Sequence, residues 1–279
     1  MEIYSYLQII LALLFAPLLI GIINRTKALF AGRKGQPLFQ PYFEIIKLFQ
    51  KDYVYSDTTT PIFKFGTVII LAVTLSLTVF IPVGCFSAPF SFSGDFILIA
   101  YLFGLSRFFI MVSALDTGSS FEAMGASREG QYAVLAEPAT FLSIIVIAFQ
   151  TKSFSLSQML SGISWITWMD NFAPLLLVII SLFIVLLAET CRIPFDDPNT
   201  HLELTMIHEV MILDHSGPDF GIILYSAALK MWLLGSIIIN ILLPLHNSNF
   251  LLNEIVFLTG ITILAIVIGI TESIMARLR

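Results

Sequence analysis

Long runs of apolar residues recur along the chain, and each is long enough to cross a lipid bilayer as one helix. A hydrocarbon core about 30 Å thick needs about 20 apolar helical residues, because unpaired backbone groups are costly in lipid. The pattern therefore predicts an all-α, polytopic transmembrane helix bundle that forms a single integral membrane domain over residues 1–279. The seven segments are 3–23, 62–83, 96–115, 132–150, 172–190, 220–244 and 255–272.

Two of the polar connections are long enough to contain structure of their own. In 37–51, the side chains of Tyr42, Ile45 and Leu48 recur at helical spacing, which predicts an amphipathic helix. Such a helix either lies in the membrane interface or packs on the protein as an ordinary loop helix. In 191–219, prolines end the preceding helix, and helical character returns over 201–214.

Basic residues are concentrated in every second connection between the apolar segments. This pattern predicts how the chain is oriented in the membrane. Lys and Arg favour the cytoplasmic side of a membrane, so we expect the N-terminus outside and the C-terminus inside the cytoplasmic (inner) membrane. No basic residue precedes the first segment, which argues for a retained helix rather than a cleaved signal peptide. The residues behind the orientation are Arg25, Lys27, Arg33, Lys34, Lys47, Lys51, Lys64, Arg128, Arg192, Arg277 and Arg279.

The composition supports a membrane protein and argues against a nucleic-acid-binding protein. The chain is 57% hydrophobic and 12% charged, whereas soluble domains are about 25% charged. Its formal net charge is −5, and no basic stripe with interleaved aromatics is present, so nucleic-acid binding is not expected.

Ionisable residues lie inside or next to the apolar segments, where buried charge is expensive and usually functional. Within the segments these are Arg107, Glu137, Glu189, Lys230 and Glu272. The adjacent connections add Asp116, Glu122, Arg128, Glu129, Arg192, Asp196, Asp197, Glu203, Glu209 and Asp214. We interpret the set as a charged funnel that enters the bundle from the cytoplasm and holds or passes protons. The alternative is that these groups only pair with one another to satisfy their burial.

The sequence lacks the motifs of a redox or nucleotide site, so we expect no metal and no cofactor of its own. Cys85 and Cys191 have no CxxC spacing, and neither a Walker loop nor a dinucleotide fingerprint occurs. A zinc-hydrolase helix would need a second histidine four residues after His208, where Ile212 stands. A stripe of histidines facing a partner or the funnel is the favoured interpretation.

Several motifs in order resemble one family of membrane subunits. Residues 188–196 (AETCRIPFD) resemble the signature of the subunit shared by respiratory complex I (NADH dehydrogenase subunit 1) and the group 4 energy-converting nickel–iron hydrogenases, including formate hydrogenlyase subunit 4. Residues 33–42 (RKGQPLFQPY) and 46–48 (IKL) look like its first-loop motif. Residues 115–119 (LDTGS), 125–129 (GASRE) and the end from Glu272 look like the hydrogenase branch.

The resemblance implies a subunit at the junction between a peripheral redox arm and antiporter-like membrane subunits. Its cytoplasmic loops would dock a hydrogenase-like large subunit and iron–sulfur subunits, and its buried carboxylates would link redox events to ion movement. Glu189, Arg192 and Glu203 match the signature, and Asp116, Arg128 and Glu137 match the hydrogenase branch. The loop residues expected to dock partners are Arg33, Gly35, Pro37, Gln40, Lys47, Pro194, Phe195 and Asp214.

Two departures from the family modify this expectation. Family members usually have an eighth helix, so this form is either shortened or lacks its last helix. Where they read Glu-Tyr-Ser-Gly, this chain reads Asp214-His215-Ser216-Gly217, which counts against quinone binding and favours the hydrogenase-like branch. Two other functions stay open on the sequence: a stand-alone ion-coupled secondary transporter, and a scaffold without a proton role.

Overall fold

The computed structural model describes residues 2–84, 86–196, 207–244 and 250–275, and these ranges are helical without strands. Cys85, Asp197, His201, Glu203, Arg277 and Arg279, which belong to the residues and segments considered above, lie outside the described residues. In chain order the helices are α1 Glu2–Phe30, α2 Gln40–Phe49, α3 Pro61–Phe80, α4 Asp95–Asp116, α5 Ser120–Thr151, α6 Leu156–Gly162, α7 Trp165–Asp170, α8 Phe172–Glu189, α9 His208–Met211, α10 Gly217–Leu242 and α11 Phe250–Ile274.

Seven of the helices in the described ranges are long and apolar enough to cross a membrane, namely α1, α3, α4, α5, α8, α10 and α11. The predicted all-α bundle with seven spans is therefore confirmed. Two boundaries differ from the expectation: α1 continues to Phe30 instead of residue 23, and α5 begins at Ser120 instead of residue 132. The hydrophobic pattern stops at the first charges, but the helices continue because the polar side chains in these turns find partners on neighbouring helices.

The earlier start of α5 moves several residues out of the third connection. Only residues 117–119 remain between α4 and α5, so Glu122, Arg128 and Glu129 belong to the helix. Glu137 lies 17 residues after Ser120, which is about 25 Å along the helix axis.

The bundle has two chemically different ends. At one end, Asp116 of α4 accepts hydrogen bonds from the backbone N–H (2.8 Å) and the hydroxyl (2.7 Å) of Thr60, just before α3. At the same end, Lys27 of α1 pairs with Glu272 of α11. We call this the charged end; α1, α4, α8 and α11 finish there, and α3, α5 and α10 begin there. The opposite end is called the far end.

Helix α10 lies at the centre of the bundle, in contact with α1, α2, α3, α8 and α11. It is buried along most of its length, and Trp232 is among the largest fully buried side chains. The Trp232 ring stacks on Phe15 of α1 and meets Phe257 of α11 edge-on, with centroids 6.2 and 6.1 Å away. The outer helices leave large apolar side chains exposed, such as Phe149, as expected for surfaces that face lipid.

Helix α2 combines both of the arrangements considered for residues 37–51. Its inner face packs on α1 and α10, where the Tyr42 hydroxyl donates to the carbonyl of Leu14. Its outer face exposes Phe43, Ile46 and Phe49. Helix α2 is therefore both packed on the bundle and apolar outside, which suits either the membrane interface or a covering protein.

The described part of the connection between α8 and α10 folds back onto α5. The Asp196 carboxylate accepts hydrogen bonds from the N–H groups of Ile207 (3.0 Å) and His208 (2.8 Å). Helix α9 then crosses α5 at Gly125, where a Cβ would lie 2.8 Å from the carbonyl oxygen of Ile207. A larger residue at position 125 would push α9 away, so this glycine sets the close approach.

Candidate charged site inside the bundle

Arg107 of α4 binds three carboxylates inside the membrane-spanning part of the bundle. Its side chain is 3% exposed. Nε lies 3.2 Å from Oε1 of Glu129, and Nη1 lies 3.3 Å from Oε1 of Glu137. Nη2 forms an ion pair with Glu189. One guanidinium, with its planar set of donors, thus joins α4, α5 and α8.

Lys230 of α10 is the second cation of this group. Its Nζ lies 3.9 Å from Oε2 of Glu189. We call Arg107, Glu129, Glu137, Glu189 and Lys230 the Arg107 cluster. With every member ionised, three carboxylates face two cations.

Small cavities run beside the cluster. One of about 40 Å³ is lined by Arg107, Glu129, Glu189 and Lys230, together with Cys191 and His208. A second of about 20 Å³ lies between Glu137 and Glu189. A cavity needs roughly 10–15 Å³ of such space to hold one water, so both are large enough for water-sized groups.

Glu137 is the member of the Arg107 cluster that reaches the outer surface. Its side chain is 48% exposed, compared with 7% for Glu129 and 6% for Glu189. The surrounding surface of α5 is strongly apolar, with Val134 and Leu135 both exposed. The cluster thus has one carboxylate that opens sideways onto a surface otherwise suited to lipid.

A second charged group lies nearer the charged end. Glu272, which is buried, accepts Lys27 Nζ at 2.7 Å and Arg192 Nη1 at 3.2 Å. We call these three residues the Glu272 triad. It joins α1, α11 and the segment just after α8, so it holds three parts of the bundle together.

The remaining described candidates lie in neither of these groups, and Asp116, Glu122 and Asp196 bind loops. Asp116 holds Thr60, and Glu122 accepts the Thr117 hydroxyl and the N–H of Asp214, the latter at 3.3 Å. Asp196 holds the turn into α9, as described. Arg128 is half-buried on α5, and Glu209 lies in α9. The residues expected to form one funnel therefore occupy several separate places.

The docking residues divide between surface and interior. Arg33, Gly35, Pro37 and Lys47 are exposed, whereas Gln40 is half-buried and donates to Glu44 at 3.2 Å. Asp214 is also exposed. Pro194 is buried, and Phe195 packs edge-on against Tyr132 of α5 at 5.3 Å. The Pro-Phe pair therefore fixes the connection to the bundle instead of forming an outer surface.

His208 and Cys191 are half-buried beside these charges, and His215 is buried against Phe63. Burial lowers the pKa of His208 to about 4, against a smaller opposing effect of Asp196. Burial also lowers the pKa of His215 to about 4. Burial raises the pKa of the Cys191 thiol, whose sulfur lies 3.7 Å from Oε2 of Glu129. No group of three metal-ligating side chains is found among the residues that the structure describes.

Sequence reasoning treated Lys27 as an orientation charge and did not foresee its pairing with Glu272. It placed Glu129 in a loop, because the pattern of apolar residues starts only after it. The available signal was the spacing of Glu129 and Glu137, two helical turns apart and thus on neighbouring parts of one helix surface. That signal becomes readable only once α5 is known to start at Ser120.

Comparisons with known proteins find matches over nearly the whole chain. The family model described as NADH dehydrogenase matches residues 4–279. Formate hydrogenlyase subunit 4 of Escherichia coli is 30% identical, over 99% of this chain and 91% of the relative. Hydrogenase-4 component C of Escherichia coli is 28% identical, over 99% of this chain and 88% of the relative.

More distant matches extend the same relationship. One of the subunits of NADH-quinone oxidoreductase from Verminephrobacter eiseniae is 25% identical, over 70% of this chain and 56% of the relative. One chain of the solved membrane-bound sulfane sulfur reductase, an archaeal respiratory membrane complex, superposes with a TM-score of 0.83. That match has 25% identity and covers 99% of this chain and 90% of the other.

Proposed function

The chain belongs to the NADH dehydrogenase family, and from this we propose that it is the membrane-anchor and proton-coupling subunit of a hydrogenase-like oxidoreductase. Its relatives are membrane subunits of formate hydrogenlyase, hydrogenase-4 and complex I. They favour this function over a stand-alone transporter. The observation that carries the proton role is the Arg107 cluster, with three carboxylates and two cations inside the bundle.

The charge count of the Arg107 cluster supports a proton-binding role. Fully ionised, it carries one net negative charge, because three carboxylates outnumber two cations. A net charge held away from water is costly, and one bound proton makes the cluster neutral. A change of potential at the charged end would therefore favour proton uptake or release here. His208 lines the cavity beside the cluster and feels the charge of Arg192, which also pairs with Glu272 nearer the charged end. These two residues are therefore suitably positioned to transmit such a change.

The exposure of the Glu137 side chain supports a neighbouring membrane subunit on this surface of the bundle. A half-exposed carboxylate among apolar side chains is unfavourable against lipid. A neighbouring protein that offers a polar or basic group there would remove this cost and receive the proton laterally. We assign the antiporter-like subunits expected from the family to this surface of α4 and α5.

The charged end supports docking of the peripheral arm. Helix α2 presents Phe43, Ile46 and Phe49 outward, next to the exposed Lys47, and exposed aromatic side chains are enriched in protein interfaces. A hydrogenase-like large subunit with its iron–sulfur partners would cover this surface. On this proposal the charged end lies in the cytoplasm, with the N-terminus outside and the C-terminus inside the inner membrane.

We propose that redox centres belong to the partner subunits and that this chain holds no metal or quinone of its own. The support is the sequence, which lacks cluster and nucleotide motifs and departs from the family at residues 214–217. Metal analysis and solvent extraction of the purified full chain test this. Stoichiometric iron, nickel or quinone would contradict it.

The decisive experiment neutralises Glu189 in the assembled complex. Glu189→Gln changes one atom and leaves a neutral cluster, so assembly with the iron–sulfur subunits is expected to survive. The number of protons moved per electron in proteoliposomes should fall, because losing a positioned acid–base group typically slows a proton-transfer step by about a hundredfold or more. Glu137→Gln should give the same phenotype.

Asp170→Asn is the matched control, because Asp170 is an exposed acid at the end of α7, near the far end. It should leave both assembly and proton movement unchanged. Normal proton movement in Glu189→Gln would leave only the scaffold function. Solute uptake by the chain alone in liposomes would instead identify a transporter.

A further inference from the structure

A basic pocket opens at the charged end between α1 and α11, outside the Arg107 cluster and away from α2. Its volume is about 640 Å³, which is within the range of cavities that hold small ligands. The polar side chains that line it are Asn24, Lys27, Arg33, Gln36 and Ser273.

The pocket is closed on the side of the membrane interior. Below it, α1 and α11 approach closely at Gly269, where a Cβ would lie 2.8 Å from the Cβ of Thr26. Above this contact, Lys27 and Glu272 form an ion pair at 2.7 Å. The two contacts form a floor, so a ligand enters from the aqueous side or from the adjacent lipid surface.

The surroundings of the pocket are strongly positive. Lys27 and Arg33 line it, and Arg25 lies behind its wall, with Nη1 donating to the Gln36 carbonyl at 3.4 Å. Arg192 reaches the floor through Glu272. Among the ion pairs found in the described part of the chain, two of these four cations, Lys27 and Arg192, pair with one carboxylate, Glu272. The excess of positive charge favours an anionic ligand.

The depth of the pocket distinguishes a lipid from a soluble anion. The spanning helices α1 and α11 end beside it, at Phe30 and Ile274. Leu29, Phe30 and Ile274 are exposed at this level. Lys27 precedes Leu29 and Phe30 on α1 and Arg33 follows them, so cationic and exposed apolar side chains share one level at the end of the helix. This mixture matches the boundary between headgroups and acyl chains, and basic pockets between membrane helices bind anionic headgroups.

We propose that this pocket binds the phosphate headgroup of an anionic phospholipid. Arg33 and Lys27 contact the phosphate, and the acyl chains run along Leu29 and Phe30. The lipid would occupy the seam between the first and last described helices and bring negative charge close to the Glu272 triad. This assigns Arg33 a lipid contact in place of the partner contact expected from the family, and it holds whether or not the chain couples protons.

Photocrosslinking of the full chain in phosphatidylcholine vesicles tests the proposal. The vesicles contain a minor fraction of phosphatidylglycerol with a photoactivatable headgroup, and labelled peptides are mapped by mass spectrometry. We expect labelling concentrated on residues 24–36 and 273–275, with competition by unlabelled phosphatidylglycerol. Arg33→Gln should lower it about fivefold, the effect of one basic residue near an anionic surface.

Two further variants make the result specific. Lys34→Gln removes the neighbouring exposed cation, which does not line the pocket, and should leave this labelling unchanged. Ala31→Trp places a large side chain at an exposed lining position and should abolish it.

Three outcomes would overturn the proposal. One is uniform labelling of all lipid-facing helices, with equal yields in the three variants. Another is displacement by inorganic phosphate as effectively as by the lipid, which would indicate a soluble-anion site. The third is complete protection of the pocket when the peripheral subunits are bound in the native complex, which would indicate a protein contact.

Discussion

The Arg107 cluster and the hydrogen bonds at the far end are both buried in the same bundle, but they differ in chemistry. At the far end, Gln8 accepts the N–H of Val83 at 3.1 Å, and Asn240 donates to the carbonyl of Pro82 at 3.0 Å. These neutral side chains satisfy backbone groups of a connection, and no proton is exchanged. In the Arg107 cluster, charges satisfy charges and their numbers are unequal. Burial alone therefore does not distinguish the two places. Even the buried carboxylate of Asp95 at the far end is satisfied by the Leu156 N–H at 2.7 Å and the Ser155 hydroxyl at 2.8 Å, whereas the carboxylates of the Arg107 cluster share cations.

Removing the central cation should have the largest effect. Arg107→Met leaves Glu129, Glu137 and Glu189 near one another without their shared partner. Breaking a buried ion pair from one side typically costs about 3–5 kcal/mol, and we expect a loss of this size in the free energy of unfolding, measured by thermal or denaturant unfolding in detergent. Arg107→Lys keeps the charge and should lose less. Equal losses in the two variants would show that the charge of residue 107 does not stabilise the bundle. The contrast drawn between the Arg107 cluster and the far end would then be wrong.

His215 provides an intermediate case, a buried titratable ring without a charge partner. It stacks on Phe63 with centroids 4.0 Å apart, and its ring nitrogens lack hydrogen-bond partners within the described structure. Burial lowers its pKa from 6.5 to about 4, so the unfolded chain takes up a proton first as the pH falls. The contribution of His215 to stability should therefore be constant above pH 7 and decrease between about pH 6.5 and 4, by at most about 1.4 kcal/mol per pH unit.

His215→Phe should flatten that acid dependence in a series of unfolding curves against pH. Part of the slope should remain, because the pKa of His208 is lowered in the same way. At pH 7.5 the variant should be at least as stable as the parent chain, since a stacked apolar ring replaces an unbonded polar one. An unchanged pH profile would show that His215 is solvated.

Substitution at the far end should cost less than at the Arg107 cluster. Gln8→Leu leaves the N–H of Val83 without an acceptor, which costs about 1 kcal/mol on typical values for one hydrogen bond. It also removes the Gln8 amide nitrogen, which is buried without a partner in the described ranges. Unfolding should shift slightly, and proton movement in the assembled complex should be normal. A defect in proton movement would mean that the far end takes part in coupling.

The smallest effect is expected for Asp116→Asn. Asp116 was a funnel candidate, but its carboxylate binds Thr60 at the start of α3. The amide keeps one acceptor and gives up the charge. Because both bonds to Thr60 are exposed to water, the loss should be about 0.5 kcal/mol of stability, the low end of the range for one hydrogen bond. Proton movement measured in proteoliposomes should match that of the parent chain. A coupling defect as large as that of Glu189→Gln would return Asp116 to the proton path.

The sequence was sufficient to predict a membrane protein, its seven spans and its family. It predicted the members of the Arg107 cluster only in part. Arg107, Glu137, Glu189 and Lys230 are visible as isolated charges in apolar runs. Glu129 was visible but assigned to a loop, and the role of Lys27 was hidden. Partner choice among these charges depends on which helix faces meet, and no local pattern encodes that.

The sequence by itself determined that the chain must span a membrane several times, because apolar runs of bilayer length have no other favourable environment. It also determined which residues would be costly to bury. Only the tertiary structure decided that three carboxylates share Arg107 while Asp116 and Glu122 bind loops. The physical reason is that ion pairing acts over a few ångströms, a distance set by helix packing between residues far apart in the chain.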